Sequence, residues 1–206
     1  MSDEGSGTAV DWGVATQRRR GEATNGDLGV VSVLPEGVLV AAIDGLGHGQ
    51  EAAHASREAG EVVRGRADES LVQLVERCHD ALRGTRGAVM GLAFLSHVTR
   101  TMSWLGVGNV EGIMFSVEPW APGPKARLAI GGGVLGHELP GVSIATVDVR
   151  PGDVLILATD GIEPAFSDSV DLSGSMQAIS ERILARHAKS LDDALVLAVR
   201  YLGDRA

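Results

Sequence analysis

The sequence predicts an α+β fold in which antiparallel sheets carry helices on their outer faces, and three observations support it. Apolar runs of strand length fall into two blocks, separated by a stretch whose apolar residues recur at helical spacing. Several successive runs are joined by short turns, which suit antiparallel neighbours. The chain is 44% hydrophobic but only 3% aromatic, so its core must be built mainly from Val, Leu, Ile and Ala.

The elements follow in order. Residues 12–15 make a first strand, and the polar residues 17–25 separate it from a hairpin of residues 28–34 and 38–43 turned at Pro35-Glu36-Gly37. After Gly45-Leu46-Gly47-His48-Gly49 the pattern becomes helical. Ala52, Ala53, Ala59, Val62 and Val63 form one apolar stripe; Leu71, Val72, Leu74, Val75, Cys78, Ala81 and Leu82 form a second, so two consecutive helices are predicted. Residues 88–95, 101–107 and 112–117 read as successive antiparallel strands, turned at His97-Val98-Thr99-Arg100 and at Gly108-Asn109. Residues 118–125 hold three prolines and read as a loop. Strands at 127–130, 143–149 and 154–159 follow, the last two joined by the turn Arg150-Pro151-Gly152-Asp153. A helix near 175–188 precedes a final strand at 194–201. Neither a repeat nor an interior linker interrupts the chain, so residues 8–206 form a single domain behind a disordered tail at 1–7.

Charge and composition exclude several functions. A net charge of −9 argues against nucleic acid as a partner, because a phosphate backbone calls for Lys and Arg. The one basic cluster, Arg18-Arg19-Arg20, reads as a solvated loop or strand edge. The acidic, polar start is neither a signal peptide nor an anchor, and no apolar run reaches the roughly 18 residues of a membrane span. Cys78 is the only cysteine, which suits a reducing compartment, and it lies on a helical stripe as a core residue. A cytoplasmic protein without membrane or nucleic-acid partners is expected.

The chemistry-bearing feature is an Asp-Gly pair that occurs twice at the end of an apolar strand, as Asp44-Gly45 and Asp160-Gly161. A carboxylate at such a tip is rigidly held, and the glycine allows a close backbone approach. Asp27 opens another strand, and Asp192-Asp193 precedes the last one. Carboxylates without His or Cys select hard cations, so an all-aspartate site points to two magnesium or manganese ions that activate water and neutralise a phosphate. Each piece alone has a bland explanation: Asp-Gly is ordinarily a turn, and Asp-Asp ordinarily a cap or a solvated loop. A dinucleotide loop is the rival for the glycine cluster. Its spacing is G-x-G-x-G, however, and Asp44 would repel a pyrophosphate.

With these motifs the chain resembles the metal-dependent protein phosphatases, the type 2C serine/threonine family, and in particular its bacterial sporulation and stress-response branch. Asp44-Gly45-Leu46-Gly47-His48-Gly49 is similar to that branch's Asp-Gly-x-Gly-His-Gly motif. Thr159-Asp160-Gly161 matches its Thr-Asp-Gly strand end, and Asp192-Asp193 its last acidic pair. The resemblance, from about residue 8 to the C-terminus, implies a four-layer α-β-β-α sandwich. It implies a serine/threonine protein phosphatase in which metal-activated water attacks phosphorus with no phosphoenzyme. It also implies metal ligation by Asp44, the Gly45 carbonyl, Asp160 and the Asp192-Asp193 pair, with Asp192 favoured, while Asp27 orients the water. The implied substrates are phosphorylated regulatory proteins of the STAS type in a stressosome or sigma-factor cascade, met by a monomer or weak dimer.

Two departures stand out. The phosphate-binding Arg of eukaryotic members has no equivalent here, and Glu22 lies nearby instead; after Asp192-Asp193 the chain has Ala194-Leu195 in place of Thr or Ser. His48 is read either as the proton donor to the leaving oxygen or as a residue that hydrogen-bonds its own loop. Gly131-Gly132-Gly133 with Gly136 is read either as a flexible flap or as an ordinary connection, and Trp104 and Trp120 remain open between core and surface. The alternative functions are a non-catalytic docking module of the same fold in a partner-switching complex, or a phosphohydrolase of small esters.

Overall fold

In the computed structural model, which describes residues 9–117, 124–129, 131–139 and 141–203, the chain runs through strands β1 (Val10–Gln17), β2 (Asp27–Leu34) and β3 (Gly37–Gly45) into helices α1 (Gly49–Gly65) and α2 (Leu71–Ala81). Strands β4 (Ala88–Ser96), β5 (Thr101–Val107), β6 (Glu111–Phe115), β7 (Pro124–Arg127), β8 (Ala145–Asp148) and β9 (Val154–Ala158) come next. A short 3-10 helix (Pro164–Asp168), α3 (Met176–His187) and β10 (Ala194–Tyr201) complete the order. Among the described residues the strands form two antiparallel sheets, ordered β1-β10-β9-β6-β7 and β2-β3-β4-β5-β8.

The period-two alternation of β3 explains the layering. Val38, Val40 and Ala42 face the opposite sheet and pack with Trp104, Leu155, Leu157 and Leu197. Leu39, Ala41 and Ile43 face outward onto Ala55, Ala59 and Val63 of α1 and Leu74 and Cys78 of α2. On the other sheet Ile156, Val196 and Ala198 meet Met176, Ile179 and Ile183 of α3. Three apolar layers between four structural layers give the predicted α-β-β-α sandwich. Cys78 is buried and donates weakly to the Ala59 carbonyl. No helix among the described residues is long and apolar enough to cross a membrane.

Three local expectations need correction. Gly108-Asn109 does not turn a hairpin, because β5 and β6 belong to different sheets; the chain crosses between layers at Gly108, whose φ is 90°. The Arg150–Asp153 turn forms as predicted, with the Asp153 amide donating to the Arg150 carbonyl at 2.9 Å, but it too links strands of different sheets. The strand expected at 127–130 lies at Pro124–Arg127, where it pairs with β6 through an irregular register; only the Leu128 amide extends the pairing, to the Gly112 carbonyl at 2.8 Å. Ile130, Trp120, the tail at 1–7 and most of the 118–125 loop lie outside the described residues. Trp104 resolves to the core at 1% exposure, its indole N–H donating to the Ala129 carbonyl at 2.8 Å.

Candidate active site

The acidic residues converge because the ends of both sheets meet. Antiparallel register sets Asp27 at the start of β2 directly opposite Asp44 at the end of β3. Across the interface, Asp160 follows β9 and Asp192-Asp193 precede its neighbour β10. A cleft of about 390 Å³ opens between them, lined by Asp44, Asp160 and Asp192 together with Arg19, His48 and Asn109. A larger, mostly apolar groove of about 620 Å³ lies at the far end of the β2–β3 hairpin and holds none of the predicted site residues.

The two Asp-Gly pairs need glycine for space. A Cβ on Gly45 would collide with the Ala52 carbonyl of α1, and one on Gly161 with the Asp193 carbonyl. Gly45 is further pinned by its amide, which donates to the Gly26 carbonyl at 3.2 Å. Each glycine therefore lets a neighbouring backbone pack against the strand tip that carries a carboxylate. Between them, Gly47 and Gly49 take φ values of 89° and 76°, which turn the chain from β3 into α1.

Each carboxylate has its own holder. The Thr159 hydroxyl donates to Asp27 Oδ2 at 2.7 Å while accepting from the Leu195 amide at 2.9 Å, and so bolts one sheet to the other at the site. Asp160 Oδ2 accepts from the Asn109 side chain at 2.8 Å. Asp193 is buried, and its two oxygens accept from the Arg19 amide at 2.8 Å and the Gly26 amide at 3.0 Å. Its own amide donates to Asp192 Oδ1 at 3.0 Å, which leaves Asp192 as the member of the pair that lines the cleft. His48 lies at the cleft wall with Nδ1 against Glu22 Oε1 at 2.6 Å. Of the glycine segment, residues 131–139 are tied down: Leu135 bridges Ala88, Gly131 bridges Val107, and Val134 reaches the cleft.

Electrostatics test whether these residues suit a cation. Burial pushes the Asp44 carboxyl up to about 9, with Asp27, Asp160, Asp192 and Asp193 adding repulsion. Burial likewise raises Asp27 to about 7, against the lowering effect of the Thr159 hydroxyl and with further repulsion from Asp193, Asp160 and Asp192. Asp192 is raised by burial and by Asp160. Carboxylates this close disfavour one another's ionisation until positive charge enters, and oxygen-only donors suit a hard divalent ion. Among the described residues no three side chains already stand in a closed ligand set, so the fit lies in donor chemistry and convergence, and not in a preformed cage. Sequence reasoning missed Arg19, Asn109 and the bolting role of Thr159. Thr159 carries a signal only as part of the Thr159-Asp160-Gly161 motif, and Arg19 and Asn109 carry none, since they reach the cleft only when the two sheets close.

Fold and similarity to known proteins together define the class, a serine/threonine protein phosphatase of the two-sheet type. The chain belongs to the Stage II sporulation protein E (SpoIIE) family, whose model matches residues 35–205. It is 25% identical to the phosphoserine phosphatase RsbX of Bacillus subtilis (strain 168) over 178 residues, 85% of this chain and 86% of that protein. A crystal structure of RsbX in complex with magnesium superposes with a TM-score of 0.82 at 23% identity, covering 93% of this chain and 94% of the other. A chain solved in work on the bacterial stressosome superposes with a TM-score of 0.86 at 28% identity, covering 93% and 99%.

Proposed function

We propose that residues 8–206 act in the cytoplasm as one catalytic domain that hydrolyses phosphoserine or phosphothreonine on regulatory proteins of the STAS type. Asp44, Asp160 and Asp192, with the Gly45 carbonyl, would hold divalent cations, manganese or magnesium by the hardness of the donors. Such ions would supply Lewis acidity, acidifying water and offsetting phosphate charge. The protein's own groups do the rest. Asp27, fixed by the Thr159 hydroxyl, orients the attacking water and draws its proton. His48, whose Nδ1 is held by Glu22, has Nε2 left to protonate the departing serine oxygen. Asp193 serves the site through its hold on the loop that carries Arg19 and Gly26.

The observation that carries this reading is the meeting of Asp44, from one sheet, with Asp160 and Asp192, from the other, in one open cleft. The STAS assignment draws on likeness to RsbX and to a stressosome chain. Hydrolysis of p-nitrophenyl phosphate with manganese, with and without chelator, tests the chemistry; a rate that chelator does not touch, or no rate at all, would favour a docking module. Phosphorylated STAS proteins offered beside small phosphate esters test the substrate, and a strong preference for the esters would overturn it.

A further inference from the structure

We infer that the apolar groove at the far end of the β2–β3 hairpin docks a partner protein through a segment whose apolar side chains are flanked by Lys or Arg, a role beyond the phosphatase chemistry and independent of it. The groove forms where the helical layer ends. Register aligns Leu39 of β3, Phe94 of β4 and Ser103 of β5 in one row across the outer face of their sheet. That row lies beside the connection from α1 to α2, at Ala67 to Ser70, and not beneath the body of either helix. Phe94 and Ser103 are accordingly only half-buried, and Ile144, just before β8, is 45% exposed. The trough of about 620 Å³ is floored by Leu34, Leu39, Phe94 and Ile144, and its size falls within the range of specific ligand pockets.

Charge selects the occupant. Glu36, Asp68 and Glu69 line the same groove, and no Lys or Arg is among the described lining residues. Glu69 is held by Arg77, and by Arg66 at 3.6 Å, whereas Glu36 and Asp68 are exposed. An apolar floor edged by carboxylates suits apolar side chains next to a cation whose charge stays at the wet rim. A second copy of this chain suits it badly, because each copy brings a net charge of −9 to the encounter. Nucleic acid and anionic membrane surfaces are repelled for the same reason. Position sets the role. At about 3.3 Å per residue, β3 holds its Glu36 end about 25 Å from Asp44, so side chains seated in the groove cannot touch a group bound in the cleft. The groove adds affinity for a partner without entering the chemistry.

A short fluorescent peptide of Leu, Lys and Ser, and its counterpart with Glu in place of every Lys, are titrated against the full chain and followed by anisotropy. Wild type should bind the first peptide and not the second. Glu36→Lys/Asp68→Lys should weaken binding roughly tenfold or more, and Ile144→Ser roughly threefold to tenfold. Glu61→Lys/Glu76→Lys makes the same change in net charge at exposed helix positions outside the groove, and should match wild type. Turnover of p-nitrophenyl phosphate should be the same in all of them. No binding by wild type overturns the inference, as does equal binding of the Glu peptide. Equal losses in the two double variants also overturn it, since attraction to net charge alone would then suffice. Wild type that binds the Lys peptide through the groove but hydrolyses no ester would sink the phosphatase reading and leave this inference standing.

Discussion

At Asp44 burial and four neighbouring carboxylates act in the same direction, against ionisation, and none of the main influences from the described residues compensates them. The residue is therefore held for a ligand and at a cost to the free fold. Asp44→Asn should stabilise the chelated protein by on the order of 1 kcal/mol, read as a rise in melting temperature, while abolishing hydrolysis. A destabilised Asp44→Asn would mean that the carboxylate is already satisfied. Thr159 carries the opposite expectation. Thr159→Val keeps the shape but strands the Leu195 amide and frees Asp27, and should cost about 1–3 kcal/mol in denaturant unfolding together with a fall in kcat. The residue scale is also where the sequence reads least well. Arg19 sits between two exposed arginines in a cluster that looks solvated, and only the Asp193 contact across the sheets distinguishes it.

At the scale of elements, the strand tips are set by how closely backbones pass. Gly45 has no room for a methyl group because α1 returns its Ala52 carbonyl to that point. Gly45→Ala should destabilise by about 1–3 kcal/mol as the helix is pushed off the sheet. Gly65, at the last turn of the same helix with open space around it, provides the contrast: Gly65→Ala should be neutral or stabilising by about 0.4–1 kcal/mol. Equal effects at the two positions in thermal melts would rule out crowding as the reason for glycine at 45. Element identity was legible in the sequence: β5 and β10 fall on the predicted residues, and both helical stripes form helices. Pairing was less legible. Strands adjacent in sequence ordinarily pair, and β5–β6 and β8–β9 break that habit; β6 and β9, buried almost throughout, give no sign of which sheet they join.

For the whole molecule the consequence is a dependence of stability on pH and cation. Asp27 and Asp44 have raised folded pKa values, about 7 and about 9, against an ordinary carboxylate value near 4. Between those limits the folded chain binds more protons than the unfolded one, so its stability falls as pH rises through the window. The chelated protein should show a melting temperature that declines from about pH 5 toward pH 9, and saturating manganese should flatten or reverse the slope. An identical pH slope with and without cation would show that the acidic cleft does not bind one. The overall charge of −9 acts in the same direction, because self-repulsion among its carboxylates opposes the compact state.

By its own pattern of apolar runs, glycines and aspartates the sequence determined the element types, the alternation that makes a two-faced strand of β3, and the acidic character of the strand ends. Those are local properties, set by side-chain period and turn chemistry over a few residues. Which sheet each strand joins, which carboxylate of Asp192-Asp193 faces the cleft, and which of three consecutive arginines enters it were decided only by tertiary structure. These depend on contacts between residues far apart in the chain, some by more than a hundred positions, such as Thr159 with Asp27 and Asp193 with Arg19, and no local pattern encodes a meeting at that distance.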